Sequence, residues 1–107
     1  MVERGSERIE YLNPDERERK ALLDISVSGA AFVHPRELEN GTKLAVKIKK
    51  HVLNAVVVYA QGRAEGFRIG VKFQNVAFQV QKDLKDFVDE FSRGVPLFCE
   101  IVESEKP

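Results

Sequence analysis

Leu22-Leu23-Asp24-Ile25-Ser26-Val27-Ser28-Gly29-Ala30-Ala31-Phe32 reads as a strand with one apolar face, broken by a glycine. Leu23, Ile25 and Val27 alternate with Asp24, Ser26 and Ser28, the period of two expected when one strand face is buried and the other is wet. Side chains two apart on a strand point the same way, so Asp24 and Ser26 are expected together on the polar face. Gly29 lets the backbone turn, or lets another molecule approach the main chain closely. As chemistry, a carboxylate, hydroxyls and bare backbone within six residues form a platform for a hydrogen-bonding ligand. As structure alone, Asp24 and Ser26 cap a bulge and Gly29 serves a turn. Both readings are open from these residues.

Toward the N-terminus, residues 1–8 have no hydrophobic period and contain Gly5 and Ser6, which predicts a flexible arm. Residues 9–12 read as a short strand. Asn13-Pro14 opens a turn with preset φ, so a short first hairpin leads into a long second strand over residues 17–27. Toward the C-terminus, residues 30–33 make a third strand, stopped by His34-Pro35. Asn40-Gly41 marks the next turn. Leu44, Val46 and Ile48 alternate with Lys43, Ala45 and Lys47; residues 52–59 are a second run rich in β-branched valine; Phe67, Ile69, Val71 and Phe73 alternate with Arg68, Gly70 and Lys72. Five or six short strands at this spacing make a barrel or a sandwich.

The period then changes. Val80, Leu84, Phe87, Val88 and Phe91 recur at helical spacing and form one apolar stripe. A helix is therefore expected over about residues 77–93, ended by Gly94 and Pro96. Residues 96–102 add a last strand, and 103–107 fray. The 107 residues read as a single domain: arm 1–8, a β-rich body, the helix, and a tail from 94 to 107.

Composition closes several functional classes. Seventeen basic and 17 acidic residues cancel, whereas a sequence-independent nucleic-acid binder carries a basic excess; no DNA or RNA partner is expected. An OB-like single-strand binder would also need stacking aromatics, and the strands offer few beyond Tyr11 and Tyr59. One cysteine, Cys99, makes no internal disulfide, and with only His34 and His51 beside it no metal set is readable. No apolar run approaches transmembrane length and residues 1–8 lack a signal-peptide core. The expectation is cytoplasmic, without membrane insertion. No nucleophile, base and orienting group share a pattern, so no enzyme activity is expected.

Asp24-x-Ser26-x-x-Gly29 resembles the second signature of PilZ domains, and Arg4-x-x-x-Arg8 resembles the first. Gly66-Phe67-Arg68-Ile69-Gly70-Val71-Lys72-Phe73 before a helix is similar to the end of that family's barrel. The resemblance spans roughly residues 4–93. It implies a mainly β fold, a small antiparallel six-stranded barrel with a C-terminal helix, and a bacterial receptor for the second messenger cyclic di-GMP that needs no cofactor. It further implies that Arg4 and Arg8 grip phosphate or guanine, that Asp24 accepts from guanine N1–H and N2–H, that Ser26 completes the polar contacts, and that Gly29 leaves room for the bases. An arginine fork matches either target chemically. The signal would pass, through a change in the N-terminal arm, to a protein partner whose identity the residues do not name. The alternative is a PilZ-like adaptor that binds protein and no nucleotide.

Overall fold

The computed structural model describes residues 9–10 and 19–105, with seven strands and one helix: β1 (Ile9–Glu10), β2 (Lys20–Ile25), β3 (Gly29–His34), β4 (Lys43–Ile48), β5 (His51–Arg63), β6 (Gly66–Phe73), α1 (Phe78–Ser92) and β7 (Phe98–Glu105). Six of the strands close on themselves in the order β7-β2-β3-β6-β5-β4, because β4 also pairs with β7. All pairings are antiparallel. Between the two architectures that the strand spacing allows, the chain builds the barrel. Closure leaves these six strands no open side edge, so their backbone groups pair within the wall.

The alternation in β4 is realised as expected, with Leu44, Val46 and Ile48 buried. On β6, Ile69, Val71 and Phe73 are buried inside the barrel, and Phe67 packs partly buried against the core. Phe32 on β3 is fully buried and is the largest such side chain. The helix brings Leu84, 0 % exposed, against the core, and Val80, Phe87, Val88 and Phe91 flank it partly buried. His51 at the start of β5 ties the helix down through Nε2 to Asp83 Oδ2 at 2.8 Å. Gly94, at φ +92°, ends the helix in the left-handed region; Gly94 N donates to Phe91 O and Val95 N to Glu90 O, the Schellman arrangement that satisfies the last carbonyls.

Three expectations need correction. Leu23 and Val27 are exposed, and Leu22 and Ile25 are the buried residues of β2. The cause is a bulge: Leu22 pairs with Phe32 but Asp24 with Ala31, so an extra residue breaks the period of two. The strand also ends at Ile25, and residues 26–28 form the turn. Second, β1 does not form a hairpin with β2. Both run antiparallel to β7, β1 beside Ser104 and Glu105, β2 beside Phe98 and Cys99. Third, β7 continues to Glu105, where fraying was expected, because β4 and β1 flank that end.

Cys99 is 1 % exposed on β7. Burial pushes its thiol up to about 12, with Lys20 opposing and Glu100 reinforcing the shift. The thiol therefore stays neutral in the folded barrel after an unfolded chain would have ionised near 9. Its contribution to stability is full below that lower value and is lost as pH rises toward the upper one. Urea midpoints of wild type and Cys99→Ala, compared from pH 8 to pH 11, should show a steeper alkaline loss in the wild type. Parallel curves would contradict this.

Candidate functional site

The turn after β2 is held by one side chain. Ser26 Oγ accepts from Ser28 N and from Gly29 N, each at 3.1 Å, and Ser26 N donates to Gly29 O at 2.8 Å. This is a serine turn, the local bonding that hydroxyl residues offer a backbone leaving a strand. Ser26 thus acts first on the chain itself. Gly29 likewise serves the packing of the strands, since a Cβ built there would strike the carbonyl oxygen of Val71 on β6. Asp24 differs. Its Oδ1 accepts from Ile25 N at 2.9 Å, and Oδ2 has no hydrogen bond among the described residues. The carboxylate is exposed and has an acceptor to spare.

Following the pairings across the wall, Asp24 sits opposite Ala31, Ala31 opposite Gly70, and Gly70 opposite Tyr59. The two central residues are the smallest on the row, so the wall is low between an acid and a phenol. The ring of Tyr59 lies over Gly70, whose missing side chain is what admits it. Arg68, two residues before Gly70 on the same outward face, donates from Nε to Tyr59 Oη at 2.9 Å and fixes the ring. The result is a cleft of about 150 Å³ lined by Asp24, Ser26, Gly29, Ala31, Tyr59 and Gly70 among others.

Two bulges produce this cleft. The irregularity in β2 places Leu23 and Asp24 outward in succession, and a second in β5, between Val57 and Tyr59, does the same for Val58 and Tyr59. Bulges re-aim side chains in this way. Tyr59 and Arg68 were not among the expected site residues. Their one signal was Gly70 at an outward position of β6, and the partner of that glycine depends on the β5 bulge.

The structure brings Asp24, Ser26 and Gly29 together. Arg4 and Arg8 lie outside the described residues; Ile9, on β1, pairs with Glu105 of β7. His34 is buried at the end of β3 and His51 is bound to Asp83. Among the described residues no group of His, Cys, Asp and Glu is placed to hold a metal ion, and no helix is long and apolar enough to cross a membrane.

Comparison with curated proteins and with solved structures gives no match. The family model of the PilZ domain matches residues 6–90. That range runs from the arm through the barrel into the helix and contains Arg8, Asp24, Ser26 and Gly29, while Arg4 precedes it. With the closed six-stranded barrel, the second signature at the β2–β3 turn and most of the chain inside the match, the chain belongs to the PilZ domain family.

Proposed function

We propose that this domain is a receptor for cyclic di-GMP, and that the Asp24 cleft takes one of its guanines. The observation that carries the reading is the spare carboxylate oxygen of Asp24 beside a low wall closed by Tyr59. A guanine edge offers N1–H and N2–H to an acceptor of this kind, and a ring system can rest on the small residue Ala31 with its rim against the Tyr59 ring that covers Gly70. Family membership supports the ligand class. At about 150 Å³ the cleft is well below the several hundred Å³ of a pocket for a whole ligand of that size. The second base and both phosphates therefore lie outside it. Arg68, half-buried beside Tyr59, is one cation at the edge of the cleft. Arg4 and Arg8 supply the others in this proposal, drawn onto the barrel as the arm orders.

In this account the ordering of the arm is the signal and a protein partner reads it. The contacts must exceed the entropy cost of ordering the segment. Hydrogen exchange at residues 4–8 should fall only when ligand is present; equal exchange with and without ligand removes this step.

Calorimetry tests the receptor reading directly. Cyclic di-GMP should give saturable heat and GTP should not compete. Asp24→Ala should weaken binding by about ten- to a hundredfold, the worth of a hydrogen bond to a charged group. Tyr59→Ala should weaken it as well, through lost wall and a freed Arg68. Absence of heat at high ligand concentration would leave the protein-binding adaptor as the reading, since the barrel needs no nucleotide to close.

A further inference from the structure

A second and larger cavity, about 320 Å³, opens on another side of the barrel, where Arg19, the start of β7 and the end of β4 meet. It lies against β7, the end of β4 and the residue that leads into β2, whereas the Asp24 cleft spans β2, β3, β6 and β5. Its floor is apolar: Leu97 and Cys99 are buried. Its rim is cationic. Arg19, Lys47 and Lys49 line it, with Glu100 as the carboxylate among the lining residues. In a chain whose 17 basic and 17 acidic residues cancel, three cations around one cavity are a local excess.

The cations are also differently prepared. The guanidinium of Arg19 lies over the Phe98 ring, 4.4 Å from its centroid. A guanidinium held against a ring is partly ordered already, which lowers the ordering cost of gripping an oxyanion. Lys49 is steadied at the rim by Glu90, 3.6 Å away, and by the Phe87 ring at 5.2 Å. Lys47 has Glu100 as its register neighbour on β7, yet it makes no ion pair among the described residues. The protonated thiol of Cys99 adds no negative charge to the floor.

We propose that this cavity is a second binding site, one that takes a phosphate group of a small ligand. A phosphate monoester or diphosphate carries more than one negative charge near neutral pH and several acceptor oxygens. It therefore profits from a fork and two ammonium groups together, where one carboxylate would leave cations unmatched. Arg19 supplies the fork, Lys47 the unpaired ammonium, and Lys49 the fixed charge at the edge. The site is separate from the Asp24 cleft, and its occupancy does not depend on the reading of that cleft.

The test is an amide NMR titration of the full chain with inorganic pyrophosphate, with guanosine 5′-monophosphate, and with sodium chloride at matched ionic strength. Saturating shifts at Lys47, Lys49, Phe98 and Glu100, with half-saturation below about 1 mM, are expected for at least one phosphate compound. Equal affinity for the two compounds means the phosphate alone is recognised; tighter binding of the nucleotide means the base is read too. Lys47→Glu and Arg19→Gln should each raise half-saturation at least about tenfold, with melting temperatures close to wild type, and Asp24→Ala should leave it unchanged. Lys47→Gln serves in place of Lys47→Glu should the charge reversal impair folding. Shifts that stay linear to about 10 mM, that sodium chloride reproduces, or that both rim variants leave intact would overturn the site.

Discussion

Phe32→Ala should lower the stability of the domain by about 3–5 kcal/mol, the range for deleting a fully buried aromatic ring and leaving its cavity. Phe32 is 0 % exposed, and β3 places it between β2 and β6. Its wall is closed on both sides, so neighbouring strands cannot collapse far into the void. At about 4–8 °C per kcal/mol for a domain near this size, the melting temperature should drop by more than about 12 °C. Phe87→Ala makes the contrast. That ring is only partly buried on α1, so its removal should cost clearly less. Thermal scans of the two variants decide the matter: an equal or larger drop for Phe87 would place the centre of the core under the helix and not inside the barrel.

Gly29→Ala should be the most damaging single-methyl change in the candidate site. The added Cβ would meet the carbonyl oxygen of Val71, a backbone atom of the paired strand that no side-chain rotation can clear. Forced overpacking typically costs about 1–3 kcal/mol, and here β3 must separate from β6 or shift its register. The variant should unfold at markedly lower temperature whether or not cyclic di-GMP is present. The consequence for the signature is specific. Loss of binding in a Gly29 variant reports on the barrel, whereas Asp24→Ala, at an exposed carboxylate, reports on the ligand. A Gly29→Ala variant with unchanged melting temperature and no binding would reverse that assignment and return the glycine to the ligand.

Ser26 falls between these cases. Its hydroxyl oxygen already accepts two backbone N–H groups, so Ser26→Ala weakens the turn as well as any contact with a ligand. The sequence placed Asp24, Ser26 and Gly29 in one motif with one function. The structure separates them into an acid with a spare acceptor, a turn former and a close-approach glycine.

Much of the architecture is legible in the residues themselves, because it rests on periods. Alternation at Leu44, Val46 and Ile48, and at Ile69, Val71 and Phe73, can bury only one strand face; the stripe from Val80 to Phe91 can bury only one helix face; Gly94 can end that helix in a conformation other residues resist. These are local properties, written in residues a few positions apart. Other features depend on which strand lies beside which, and these came from the folded barrel. Two bulges interrupt the period, so that Leu22 and not Leu23 faces the core. Tyr59 meets Gly70 only because β5 and β6 pair with a shifted register, and Arg68 reaches the phenol for the same reason. β1 joins β7 and forms no hairpin with β2, since closing the barrel brings β7 to that edge. Asp24 and Tyr59, 35 positions apart in the chain, share a row only because β2, β3, β6 and β5 are hydrogen-bonded side by side, a relation between distant backbones that no local pattern records.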